Sequence, residues 1–362
     1  MSPFISLKRQ RGVGLIELMV SVTIGLLIMA GVVQLYLTSV ESQRSQEGLS
    51  RIQENLRFTS NRLNDEGSSS GFLGCLPRLD DETRVINLLT EDIGLDADGT
   101  PQAANFASSI SGRDGSGING TDEVFFRFAL PRSIPLAEDF NPQSDDELTL
   151  DTSPHFKFAY DAINKWDVAV LTNCNYAVVF MVTNNPNDNG VVRLKVGPKA
   201  PNSHPNAGQK NTTTNIDYPL TGLKNTDNKG QIRARLFLAG MGGYSYEVKL
   251  SESAKETNNQ GGSAQCDADH PQYCGLFRNG QEIIDGVVDF QVEYGWREGN
   301  LVNFGNASTV AASDRWNRVD RVRMDLTLSA IELTGTNDNS STKRIQREMS
   351  QVIMLKNPVV EL

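Results

Sequence analysis

The stretch KRQRGVGLIELMVSVTIGLLIMAGVV, from Lys8 to Val33, decides the architecture. Lys8, Arg9, Arg11 and then Gly12 lead into an apolar run that continues to Leu37, with Ser21, Thr23 and Gln34 as mild interruptions. About twenty residues at ~1.5 Å rise each cross a ~30 Å hydrocarbon core, so this run is long enough to span a bilayer as a helix. The basic cluster precedes the run and none follows at once, so the positive-inside bias puts the first dozen residues in the cytoplasm and everything after about residue 40 outside. A secretory signal carries its small-residue cleavage site after the apolar run. Here TSVESQRSQ follows Leu37, and the small residue, Gly12, stands before the run. One carboxylate, Glu17, enters the apolar segment near its start. A carboxylate alone in lipid is costly, and it must find a cation or a proton.

The helical pattern outlasts the membrane segment. Between Ser39 and Glu66 there is no proline, and Gly48 is the only glycine. Leu49, Ile52, Leu56, Thr59 and Leu63 form a stripe at helical spacing, which predicts one helix over 13–66, membrane-spanning over about 16–37. Its second half is expected to pack on the chain's own head. Past DEGSSSG the periodicity switches to two. IRARLFL, YSYEVKL, VVDFQVEY and RVRMDLTL alternate apolar and polar residues, and EVFFRFAL, YAVVFMVT and QVIMLK add further candidate strands. Such alternation predicts half-buried antiparallel sheet. The fold class is therefore α+β: a long N-terminal helix capped by a large antiparallel β-rich head over 67–362. Residues 197–230 are too long and polar for a tight turn and are expected to form a surface excursion or a mobile loop.

A net charge of −10 argues against a phosphate-backbone binder, so no nucleic-acid partner is expected. GSGING, Gly115 to Gly120, fits a dinucleotide pattern but precedes a strand instead of opening a helix after one. DADGT, Asp96 to Thr100, lacks acids at the first and twelfth positions of a calcium loop. His155, His204 and His270 belong to no recognisable triad, so neither a catalytic site nor a cofactor is read and the chain is not expected to be an enzyme.

RGVGLIELMV resembles the class III leader of type IV pilins and type II secretion pseudopilins. In that family a prepilin peptidase cuts after the glycine and N-methylates the new first residue. The resemblance implies a leader over 1–12, cleavage between Gly12 and Val13, methylation of Val13, and Glu17 as fifth residue of the mature chain. Val13 stands where the family usually has Phe, and Gly14 where Ser or Thr is common. Family usage pairs the acid with the N-terminal amine of a neighbouring subunit, which makes Glu17 the assembly residue. SSGFLGC, NGTDEVFFRFA, IIDGVVDFQVEYGW and DRVRMDLTLSAIEL resemble the PilW minor pilins, which are J-like in pseudopilin terms. This implies a protein of the inner membrane, N-terminus cytoplasmic and head periplasmic, that later joins a pilus at the cell surface. Implied partners are the prepilin peptidase, other minor pilins, the major pilin, the inner-membrane assembly platform, a large tip adhesin and, before assembly, membrane lipid. The implied function is priming of pilus assembly at or near the filament tip. Two alternatives are a J-like pseudopilin of type II secretion and an unpolymerised single-pass binding protein.

An exported head places Cys75, Cys174, Cys266 and Cys274 in an oxidising space. Four cysteines allow three pairings, and sequence does not choose among them. The favoured pairs are Cys266–Cys274, a short loop, and Cys75–Cys174, a staple from the helix end to a strand edge. On the chain-entropy model these contribute about 2.6 and 4.7 kcal/mol. The competing reading of CDADHPQYC is a metal site, but it offers only Cys266, His270 and Cys274, at a spacing unlike the common zinc patterns. No metal is expected.

Overall fold

The computed structural model describes residues 14–76, 85–87, 108–140, 147–165, 167–174, 177–182, 184, 191–193, 234–238, 243–332 and 344–356. The leader, Gly12 and Val13 lie outside these residues, as do DADGT and 197–230.

Helix α1 spans Leu15–Ser69, 55 residues, or roughly 80 Å at ~1.5 Å each. It ends three residues later than the expected Glu66, and local hydroxyls explain the extension. Ser69 Oγ donates to the Asp65 carbonyl at 2.7 Å and Ser70 Oγ to that of Glu66 at 3.4 Å, so the serines satisfy carbonyls the last turn would leave open. Gly67 does not break the helix, because it is pressed against the head. A Cβ there would lie 3.2 Å from Ile353 Cγ2.

The strands gather into four sheets among the described residues. The first comprises β1 (Val85–Asn87), β4 (Ser133–Pro135), β6 (Val168–Thr172), β7 (Ala177–Met181) and β9 (Arg235–Leu238), ordered β1-β7-β6-β9-β4. The second joins β2 (Ile110–Arg113), β3 (Glu123–Phe126), β10 (Tyr244–Leu250), β11 (Cys274–Arg278) and β12 (Gln281–Asp285), ordered β12-β11-β10-β3-β2. The third orders β14 (Leu301–Gly305), β13 (Val287–Glu298), β15 (Val319–Ser329) and β16 (Gln346–Met354) as β14-β13-β15-β16. A short pair joins β5 (Glu147–Thr149) to β8 (Val191–Arg193). Short helices α2 (Lys157–Tyr160), α3 (Glu252–Asn259) and α4 (Ala307–Ala312) decorate the head.

The third sheet behaves as period two demands. Phe290 pairs with Leu326, Val292 with Met324 and Tyr294 with Val322, and all six side chains are buried on the inner face. Their polar neighbours Arg321, Arg323 and Asp325 lie half-buried on the other side. The inner face meets α1 through Ile52, Leu63 and Ile353.

Two expectations need correction. The alternation over 232–238 predicts a half-buried strand, yet in β9 Leu236 and Phe237 are both buried, and β6 and β7 are buried at every position. The first sheet is covered on both faces. Ala169, Leu171, Val178 and Phe180 face one cluster, while Val168, Val170, Val179 and Met181 face another. A strand wrapped on both faces loses the alternation that marks a half-buried one. The head is also not wholly antiparallel, since β1 pairs with β7 in parallel.

The segment after α1 fills the second cluster. Leu73 and Leu76 are buried there, and Phe72 touches both this cluster and the core beneath α1. Gly74 adopts φ +74°, and a Cβ would fall 2.6 Å from Phe237 Cε2, so this tight approach requires glycine. It sets Cys75 against Cys174, to which it is disulfide-bonded.

Candidate functional site

Helix α1 divides into two halves with opposite surroundings. From Leu15 to Leu37 its apolar side chains are exposed, Leu15 and Ile16 to 77% and Leu27 to 74%. The half is long and apolar enough to cross a membrane, by length and composition. Its serine and threonine hydroxyls bond to carbonyls within the helix. Ser21 Oγ donates to the Glu17 carbonyl at 2.7 Å, Thr23 Oγ1 to that of Val20 at 2.8 Å and Thr38 Oγ1 to that of Gln34 at 3.0 Å. Backbone and hydroxyls are thereby ready for a solvent that offers no hydrogen bonds.

Glu17 lies in the first turn of this half, where the positive helix end favours an anion. It is exposed, and no ion pair reaches it among the described residues. It is the sole charged side chain from Leu15 to Val40. Gly12 and Val13, read from sequence as the cleavage and methylation positions, are outside the described residues.

The second half is locked to the head. Gly48, Ile52, Thr59, Leu63 and Gly67 are buried. Both glycines serve close approach: a Cβ on Gly48 would sit 3.3 Å from the Ala330 Cβ. Polar contacts flank the stripe. The Arg51 guanidinium lies 2.6 Å from an Asp285 carboxylate oxygen. Ser60 Oγ donates to Gln351 Oε1 at 2.8 Å.

The strongest contact centres on Glu66. Its carboxylate accepts from Arg278 Nη2 at 2.8 Å and Nε at 3.1 Å, and from the Tyr246 hydroxyl at 2.7 Å. Arg62 stands 3.5 Å away on the same helix. The Arg278 guanidinium also stacks over the Tyr244 ring, 3.8 Å from its centroid. Burial, reinforced by the Glu66 carboxylate, pushes the Tyr246 hydroxyl well above the usual phenol range, so it stays a donor. For Arg278, burial works to lower the pKa, and the bonds and charge of Glu66 outweigh it. Sequence reasoning passed over this latch. Its one legible trace was position: Glu66 falls three residues after Leu63, on the edge of the buried stripe.

The cysteines pair as Cys75–Cys174 and Cys266–Cys274, with sequence separations of 99 and 8. Both thiols of CDADHPQYC are consumed in the second bond. His270 instead places Nδ1 2.9 Å from Asp267 Oδ1 and stacks on Tyr273. GSGING forms the turn between β2 and β3 and ends in a short 3-10 turn, Ile118–Gly120.

Two family models match the chain. Residues 7–33 match the prokaryotic N-terminal methylation motif, which covers Gly12, Val13 and Glu17. Residues 267–357 match the type IV pilus-assembly protein W family, which covers β11 through β16 and so includes β15 and β16, on which α1 packs. No curated protein and no solved structure matches.

Proposed function

We infer that the chain is a PilW-type minor pilin of a type IV pilus, and that Glu17 recruits it into the helix bundle of the filament after prepilin peptidase cleavage. The single observation that carries this reading is the contrast within α1. One half is sealed to the head by buried glycines and the Glu66 latch; the other is wholly exposed, apolar, and carries an unpaired acid. Lipid accommodates the apolar surface but not the anion. A bundle of like helices accommodates both, once a neighbour's N-terminal ammonium meets the carboxylate. Before assembly α1 anchors the protein in the inner membrane with its head outside. The partners in this reading are companion minor pilins, the major pilin, the assembly platform and a tip adhesin.

Priming and a tip position follow from bulk. The head adds a doubly covered sheet (β1, β4, β6, β7 and β9) to the part matched by the family model. A head of this breadth is easier to place once at an end than repeatedly along a shaft.

Glu17→Ala tests the recruitment role. The variant is expected to be cleaved after Gly12 and inserted normally, and to be depleted at least tenfold from sheared filaments. Wild-type amounts in the filament fraction would overturn the reading.

A further inference from the structure

We propose that the first sheet carries a binding site for a small amphiphilic monocarboxylate, one bearing a single aromatic ring or a short acyl chain. The site is a cavity of about 250 Å³ lined, among the described residues, by Leu130, Ile134, Ala159, Ala162, Leu236 and Leu238, with Pro131 and Arg132 at its border. It lies between the β4–β9 edge and the segment that begins with α2. A dry apolar cavity of about 150 Å³ already takes a benzene ring. This one therefore holds a ring with a short substituent, or the equivalent length of acyl chain.

Charge narrows the choice to an anion. Arg132 is exposed and has no carboxylate partner among the described residues; its guanidinium rests 4.5 Å from the centroid of the Phe158 ring. Other charges of this region are engaged. Lys157 is paired with Asp161 at 2.8 Å, and Arg235 is bonded to Ser133 Oγ at 2.7 Å and faces the Phe156 ring. Among the described residues Arg132 is thus left as the cation beside an apolar opening. The ring of Phe158, 70% exposed, holds the guanidinium in place through its face. An aromatic platform under an unpaired Arg beside an apolar cavity suits a carboxylate whose tail is apolar: the head bonds to the guanidinium and the tail displaces water from the cavity. The inference is independent of the pilus reading, because it uses none of the residues of α1.

The test is calorimetric titration of the full chain in lipid nanodiscs, with empty nanodiscs subtracted. The probes are 3-phenylpropionate and its uncharged counterpart 3-phenylpropan-1-ol. The carboxylate is expected to bind saturably at one site and about tenfold more tightly than the alcohol. Arg132→Gln should remove that tenfold preference while leaving the weaker, alcohol-like binding. Ala162→Trp, at an exposed lining position, should abolish binding of both. Equal affinity for the two probes in the wild type, or carboxylate binding that survives Ala162→Trp, would overturn the proposal.

Discussion

Glu66 shows what one side chain can do at a helix–sheet contact. Its carboxylate is only 13% exposed and Arg278 19%, so neither is a freely solvated ion. Removing one member strands the other. Glu66→Gln is expected to cost about 1–3 kcal/mol, since Arg278 keeps its charge and loses its counter-ion. Adding Arg278→Met should cost less in that background than alone, a coupling measurable in a double-mutant cycle by thermal or denaturant melts; strict additivity would show that the contact is idle. Asp122, just before β3, is one of three acids at the second sheet whose pKa burial raises, with Glu123 and Glu282. It is 6% exposed and accepts from the Gly115 and Val292 amides, each at 2.8 Å. Burial raises its pKa above the ordinary value; the two amides oppose this, while Asp114 and Asp289 add to it. The folded chain therefore holds this proton more tightly than the unfolded chain, whose value is ~3.9. Between the two values the native state binds more protons, so this contribution to stability falls as pH rises through that window. Asp122→Asn removes the titration. The stability of wild type relative to this variant should shrink as pH rises above the ordinary carboxylate value of about 4, and a gap that widens would reverse the sign assigned here.

At the scale of elements, the two disulfides differ in what they constrain. Cys75–Cys174 closes a long loop and ties the segment after α1 to the end of β6, beside the buried Leu73 and Leu76. Cys266–Cys274 closes a short one at the start of β11. The chain-entropy model predicts a loss of up to about 4.7 kcal/mol for the double serine variant of the first, against about 2.6 for the second. Melts of the two variants in the oxidised full chain should keep that order; the reverse order would mean that the long loop is already constrained when the bond is absent. Periodicity made β10, β13 and β15 legible because each hides one face and shows the other. It did not mark β6, and although YAVVFMVT was legible as the strand β7, nothing local showed that both faces of these strands are covered. Nor could it foresee the parallel β1–β7 pairing, because pairing partners far apart in the chain leave no local mark. The late end of α1 was missed for a different reason. Serine and glycine usually signal a turn, and here Gly67 is held helical by Ile353 and Phe126 and the serines cap the last turn.

For the whole molecule, the division of α1 means that anchoring and head stability are separable. Contacts to the head begin in the region of Gly48, well past the apolar run. A chain beginning at Ser39 is expected to be soluble without detergent and to melt within about 2 °C of the full chain, because the removed residues cover none of the core. A fall of more than about 5 °C, or aggregation of the shortened chain, would show that the exposed half supports the head. For domains of about 150–250 residues about 1 kcal/mol shifts the midpoint by roughly 2–4 °C and a larger chain shifts less, so a fall of more than about 5 °C marks a loss well above 1 kcal/mol.

The amino-acid sequence by itself determined the apolar anchor helix, the helical stripe of the domain spine and the alternating strands of the sheet that receives it. These are periodic or compositional properties, and a period of 3.6 or 2 is written in neighbouring residues. The methylation and pilus-assembly family matches fall on the anchor and on the receiving sheet. Only the tertiary structure decided that Glu66 meets Arg278 and Tyr246, that Gly48 and Gly67 are contact points, that one sheet is wrapped on both faces, and that Arg132 borders an apolar cavity. Each of these joins residues distant in the chain, and a chain folds them together through packing and register that no single segment encodes.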